Sequence, residues 1–212
     1  MARPLTDIDA GRAQLLETVE HLIRKRGAAS VTLSELAAEE GMSPANIYRF
    51  FENKEALYEA VAERWFAPKV TIMEEVVASD LAVPDKLYAF FARRFILMRD
   101  NYLEEPALFK SYLELGREHQ ETVRGYVDLG DHFLAMIVAE GMEEGYFQGL
   151  TIDRTVSLIN LMLHSFCNPD VMVNLIHSVN EEKLGQIILA IVNGLSGQAQ
   201  VSQPSQLKLV AV

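Results

Sequence analysis

The stretch from Thr32 to Lys54, TLSELAAEEGMSPANIYRFFENK, constrains what this chain can fold into more than any other. Thr32 followed three residues later by Glu35 is a capping box, which starts a helix. Leu33, Leu36 and Ala37 then recur at helical spacing. Gly41 can close that helix in the left-handed conformation. Ser43 is a second N-cap candidate, and Pro44 takes the first helical position, where its missing N–H costs nothing. Ile47, Phe50 and Phe51 give the second helix an apolar face. Asn53 caps a third helix that Lys54 opens. Two short helices joined by a tight, glycine-containing turn form a helix-turn-helix, whose second helix enters the DNA major groove. A plain helical hairpin has the same spacing. Asn46, Tyr48 and Arg49 favour the DNA reading, because their hydrogen-bonding tips lie opposite Ile47 and Phe50 and suit phosphates or base edges.

Charge complicates that reading. The 212-residue chain carries a formal net charge of -11. Residues 1–66 account for -3 and residues 67–212 for -8. DNA binding would therefore need local clustering of Arg24, Lys25, Arg26, Arg49 and Lys54, with the glutamates turned elsewhere. The single cysteine, Cys167, allows no intrachain disulfide and no CxxC metal pair, which fits a reducing cytoplasm. No apolar run is long enough for a membrane span, and MARPLTDIDAGR lacks the apolar core of a signal peptide.

Periodicity along the rest of the chain is helical throughout, which predicts an all-α fold. Asp9 can cap a first helix that ends at Gly27. A helix from Lys54 is expected to break or kink at Pro68. Further helices are expected near 85–101, 104–116 and 121–144. Another runs from Asp153 through Phe166, a short one follows Asn168-Pro169, and the last covers 180–195. The domain division places an N-terminal three-helix helix-turn-helix domain at 9–66, with the motif at about 32–51. A C-terminal helical ligand-binding and dimerisation domain spans 67–196, and residues 197–212 form a disordered tail.

On Val31 to Val61 (VTLSELAAEEGMSPANIYRFFENKEALYEAV), together with Arg12 to Val19 and Gly27, the chain resembles the TetR-type transcriptional regulators. Tyr48, Phe50, Phe51, Lys54, Glu55 and Leu57 carry the most specific part of the match. The resemblance implies that Thr32 and Tyr48 bond phosphates, as does Lys54 at the start of the third helix. It implies that Ser34, Pro44, Ala45, Asn46 and Arg49 touch base edges or nearby backbone. Pro44 and Ala45 can offer only apolar contact, so Asn46 and Arg49 are the candidates for hydrogen-bonded readout. The partner implied is double-stranded operator DNA, bound by a homodimer whose recognition helices sit about 34–36 Å apart.

Signals for an enzyme are weak. His119, His132, His164 and His177 are scattered without HExxH spacing, and no P-loop, GxGxxG or GxSxG occurs. No catalytic residue, metal site or cofactor is expected. Cys167 and His164, three residues apart, read as core or pocket wall. Phe91, Phe95, Met98, Phe109, Tyr112, Phe133, Met136, Met162, His164 and Phe166 are the candidate lining of a mostly apolar cavity for an unidentified small-molecule effector, with His132 and Asn160 as further polar handles. One ordinary core fits the same set. Val156, Ile159 and Leu163, with Leu184, Ile188 and Ile191, are the candidate dimer seam on the last two long helices. The expected function is a ligand-released repressor in the cytoplasm. An activator or ligand-insensitive regulator stays open, as does a small helical enzyme or carrier.

Overall fold

The computed structural model describes residues 6–26 and 31–196. These form eleven helices: α1 Thr6–Arg26, α2 Leu33–Glu39, α3 Pro44–Ile47, α4 Lys54–Val77, α5 Val83–Glu104, α6 Pro106–Glu118, α7 Gln120–Glu143, α8 Ile152–Met162, α9 His164–Cys167, α10 Pro169–Asn174 and α11 Glu181–Leu195. Among the described residues there is no strand. The expected tail from 197 and the helix end at Gly27 lie outside the described residues.

Packing divides the chain into two compact units. The first comprises residues 1–71 and 97–129, the second 72–96 and 130–212. Helices α4, α5 and α7 each contribute residues to both units. The grouping departs from a linear division at residue 66, because α6 packs on α1 and so joins the N-terminal helices.

In the first unit, the stripe Leu15, Val19, Leu22 and Ile23 of α1 meets Leu36, Ala37 and Ile47 of the helix-turn-helix. Phe51, Leu57, Tyr58 and Val61 complete that core from below, with Tyr112 and Leu115 added from α6. Phe50 rests against Gly11 of α1. A Cβ at Gly11 would sit 2.5 Å from Phe50 Cε1, so any larger residue displaces the ring. In the second unit, Leu87, Phe90, Phe91 and Phe95 of α5, Ile137 and Val138 of α7, Ile159 of α8 and Leu184 and Ile188 of α11 are all buried.

Local signals explain most helix boundaries. The capping box is complete: Thr32 Oγ1 accepts from Glu35 N–H at 3.2 Å, and Thr32 N–H donates to Glu35 Oε2 at 2.8 Å. Gly41 has φ 62°, the left-handed turn residue that ends α2. Asn53 Oδ1 accepts from Ala56 N–H at 2.7 Å and fixes the start of α4. Asn53→Ala is expected to lower stability by about 1 kcal/mol, measured by urea melts, whereas Asn53→Asp should be close to neutral.

Three boundary expectations need correction, and a fourth, Ser43, holds in position only. Helix α1 begins at Thr6, so Asp9 lies inside its first turn and is not its cap. Ser43 holds the extended N-cap conformation, but its side chain makes no capping bond. Pro68 neither ends nor splits α4, which runs through it to Val77. One missing hydrogen bond costs α4 about 3 kcal/mol. Burial of Leu57 and Val61 on one side of Pro68 and of Met73 and Val76 on the other outweighs that loss. Lys69 Nζ also donates to the Trp65 carbonyl at 2.9 Å, within the turn the proline disturbs, and lies 4.0 Å from the Trp65 ring centroid. Finally, the helix expected from Asp153 through Phe166 is interrupted at Leu163 (φ -102°, ψ 12°), which separates α8 from α9. Leu163 and Phe166 both remain buried across the break, so hydrophobic spacing does not register it.

Candidate functional site

The eight residues assigned to DNA sit on three successive helix starts. Thr32 and Ser34 open α2, Pro44, Ala45 and Asn46 belong to α3, Tyr48 and Arg49 follow it directly, and Lys54 opens α4. All are exposed except Asn46, which is half-buried. Tyr48 is 58% exposed although its neighbour Ile47 is fully buried. The alternation results from the helical turn: Ile47 and Phe51 anchor the segment while Tyr48 and Arg49 point away from the core. Arg49 Nη1 donates to Asn46 Oδ1 at 3.4 Å, a long bond that aligns the two candidate base-reading tips. Lys54 Nζ stands 5.0 Å from the Tyr58 ring centroid.

The basic cluster is smaller than its sequence suggests. Arg24 pairs with Glu105 and lies 3.5 Å from Glu20, and Lys25 lies 3.9 Å from Glu39. The hydrogen bond to Glu105 raises the Arg24 guanidinium pKa and lowers that of the Glu105 carboxyl. These glutamates therefore do not all turn elsewhere, whereas Arg49 and Lys54 carry positive charge beside the recognition segment itself. Among the described residues neither is in an ion pair.

Several positioning residues were not singled out from the sequence. Arg12 Nη1 donates to the Phe50 carbonyl at 3.1 Å, and its guanidinium lies 4.9 Å from the Phe51 ring centroid. Glu20 is a hub for three elements: it accepts from Tyr112 Oη at 2.9 Å and pairs with Arg64 at 3.1 Å and with Arg24. An acidic residue among the apolar positions of α1, with Arg24 one turn further along the same helix, is the sequence signal for it. Burial, then the Glu20 carboxylate, raise the Tyr112 pKa, so the phenol keeps its proton and its role as donor.

The candidate effector residues fall in both units. Met98, Phe109 and Tyr112 belong to the first unit, and the other seven to the second. Tyr112 stacks on Trp65 at 4.3 Å, and Phe109 meets the same ring edge-on at 5.2 Å. These two are packing residues of α6 against α4. In the second unit Phe91, Phe95 and Phe166 are buried, and Phe95 meets Phe166 edge-on at 5.4 Å. Phe133 is half-buried, whereas Met136, Met162 and His164 are exposed on this chain. Asn160 donates to Asp131 at 2.7 Å. Cys167 does not pair with His164. Its thiol donates to the Leu163 carbonyl at 2.9 Å, and burial pushes its pKa up to about 11, so it is an unreactive thiol at neutral pH. Among the described residues no group of three His, Cys, Asp or Glu side chains is placed to hold a metal ion.

The candidate seam residues are a second correction. Val156, Ile159, Leu163, Leu184, Ile188 and Ile191 are all buried within the single chain. They form the inward stripe of the second unit and have no surface left for a partner. The exposed large apolar side chains on the same helices are Ile152, Leu161 (74%), Met162 and Leu189 (57%).

These features define a class. Residues 15–61 match the model of the bacterial regulatory proteins of the tetR family, and residues 83–188 match the tetracyclin repressor-like C-terminal domain. The chain belongs to this family: it is a DNA-binding transcriptional regulator of the ligand-responsive kind, not an enzyme. Among curated proteins it is similar to the fatty acid metabolism regulator protein of Bacillus subtilis (strain 168), 24% identical over 160 residues that cover 68% of this chain and 80% of that one. Its fold is shared with the transcriptional regulator FadR from B. subtilis, solved in complex with stearoyl-CoA (TM-score 0.59, 21% identity, 86% of this chain and 98% of that one). A protein of unknown function from Rhodococcus sp. RHA1 shares it too (TM-score 0.65, 19% identity, 87% and 95%). Among the described residues, no helix is long and apolar enough to cross a membrane.

Proposed function

We propose that this regulator is a homodimeric repressor whose 9–66 segment reads operator DNA in the cytoplasm and whose 67–196 segment binds a small, mostly apolar effector that releases the DNA. The observation that carries the DNA part is the exposed row Thr32, Ser34, Pro44, Ala45, Tyr48, Arg49 and Lys54, held by fully buried Leu36 and Ile47. Arg49 and Asn46 read bases, Thr32, Tyr48 and Lys54 hold phosphates, and the remaining three give close contact. Support for an apolar effector comes from the aromatic interior of the second unit. The similarity to a fatty acid metabolism regulator, and to a fold that holds stearoyl-CoA, points to long acyl compounds. Release follows if the effector binds better to a form whose recognition helices are misplaced for two successive grooves. Exposed Leu161, Met162 and Leu189 supply the apolar surface for a two-fold contact between α8 and α11 and their copies.

The test is a gel-shift with the DNA upstream of the protein's own gene, with and without stearoyl-CoA. A specific shift that stearoyl-CoA removes is expected. Lys54→Ala should weaken binding to all sequences alike and reduce the salt slope by about one. Arg49→Ala or Asn46→Ala should instead relax sequence preference by about 1–3 kcal/mol per lost base contact. If all three variants bound operator and random DNA as the wild type does, the recognition helix would be misassigned.

A further inference from the structure

Helix α5 carries one charge that neither the DNA-binding face nor the fold requires. Arg94 lies among aromatics, between Phe90-Phe91 and Phe95 in sequence. Its guanidinium carbon sits 4.0 Å from the Phe90 ring centroid and 5.2 Å from that of Phe91. Nε donates to the Phe90 carbonyl at 2.8 Å, and Nη1 reaches Met73 Sδ of α4 at 3.5 Å. From α7, Gly130 presents only backbone here: a Cβ on it would lie 3.7 Å from both Nη1 and Met73 Sδ. No carboxylate comes within ion-pair range among the described residues. Asp131 attracts it only through space, and Asp131 is itself engaged by Asn160 at 2.7 Å.

An arginine has five N–H donors in a planar fork. One backbone carbonyl and one thioether take part of that fork, and the rest lies on the accessible side of this half-buried residue, because no buried side-chain nitrogen among the described residues lacks a partner. Burial pushes the pKa down to about 10, so the group still carries its full charge at neutral pH. Arg24, Arg64, Arg93 and Arg99 each meet an acidic side chain. Arg94 is placed differently: a positive charge in apolar surroundings, with a cysteine kept neutral nearby. A guanidinium fork of that kind has the geometry to pair with a carboxylate or phosphate.

We propose that Arg94 binds the anionic head of an amphiphilic effector, whose apolar chain packs among the aromatic residues of the second unit. The inference deepens the proposed effector class and rests on it. Phe90 and Phe91 hold the guanidinium plane, the Phe90 carbonyl fixes its rotation through Nε, and Gly130 keeps one end uncovered. The shared chemistry is a carboxylate or phosphate joined to an acyl chain. A free fatty acid presents the first, and an acyl-CoA the second.

The experiment measures binding of dodecanoate, dodecanoyl-CoA and 1-dodecanol to the full chain by calorimetry, for wild type, Arg94→Met and Arg94→Lys. Wild type is expected to bind at least one anionic compound about tenfold or more tighter than the alcohol. Arg94→Met should bring that compound to parity with the alcohol, whose own affinity stays within about twofold. Arg94→Lys should keep part of the preference, because it keeps the charge but loses the fork. Whichever anionic compound shows the preference identifies the source of the anion. Equal binding of all three compounds to wild type overturns the anion site but leaves the apolar effector standing. A preference that survives Arg94→Met in a variant that melts like wild type also overturns it. Binding of none of the three overturns the effector class and this site together. If Arg94→Met does not fold, the wild-type preference and its reduction in Arg94→Lys decide the matter.

Discussion

Ile159→Asp is expected to unfold the chain rather than to split a dimer. Ile159 is fully buried in the second unit, so the substitution removes its packing and places an unpaired carboxylate where water does not reach. Loss of the side chain alone costs about 2–5 kcal/mol, and the buried charge adds several more. The sum rivals the whole stability of an ordinary domain, about 5–15 kcal/mol. Leu161→Asp with Leu189→Asp is expected to behave in the opposite way. Both positions are more than half exposed, so urea melts should stay within about 1 kcal/mol of wild type. Sedimentation should nevertheless shift from dimer to monomer, and operator binding should fall with it. Ile159→Asp melting like wild type would refute the burial of this face. A Leu161/Leu189 double variant that stays dimeric would move the seam elsewhere.

The contrast shows what periodicity can and cannot decide. Helix α8 carries apolar residues around most of its circumference, and spacing identifies two faces without saying which turns inward. Val156, Ile159 and Leu163 form the longer, more regular stripe, and that regularity is the signature of a core-facing side. Leu161 and Met162 break the stripe and remain on the surface. The ambiguity arises because a partner and a core select the same residue types.

The N-terminal segment was far more legible, because its signals are local. Thr32 with Glu35, Gly41 at positive φ and Asn53 each act on backbone atoms within a few residues, so sequence spacing contains the geometry. Pro68 misleads because its cost is local while its compensation, burial on either side of it along α4, is not. Arg94 was missed for a related reason. An arginine on an amphipathic helix reads as a solvated charge until the neighbouring elements are placed around it. The signal was its position four and three residues after Phe90 and Phe91, in FFARRF, a helical spacing that brings both rings against it. The aromatic set itself could not be divided from sequence, since Phe109 and Phe95 are equivalent as residue types. Only packing shows that Phe109 serves Trp65 and that Phe95 serves Phe166.

Phe51→Ala should abolish DNA binding through the fold, three residues away from a variant, Lys54→Ala, that weakens it through charge. The Phe51 ring is 1% exposed in the core that joins α1 to the helix-turn-helix, and Arg12 covers it while bonding the Phe50 carbonyl. Truncation to Ala should cost about 3–5 kcal/mol, with the cation–π contact contributing a smaller share. The arginine then loses the face it rests on, and the segment carrying Tyr48 and Arg49 loses its anchor. Lys54→Ala removes an exposed ammonium, so its melt should overlay that of wild type while affinity for every DNA sequence falls. Arg12→Met separates the two effects further, since it keeps apolar cover over Phe51 but releases the Phe50 carbonyl. Its melt should fall by about 1 kcal/mol, the worth of one such hydrogen bond, and operator affinity should fall because the recognition segment is held less firmly. Urea melts beside gel-shifts on the same preparations read both quantities. Phe51→Ala with a wild-type melt would show that the ring does not anchor the recognition segment, and Lys54→Ala with wild-type affinity would remove the phosphate contact from the start of α4.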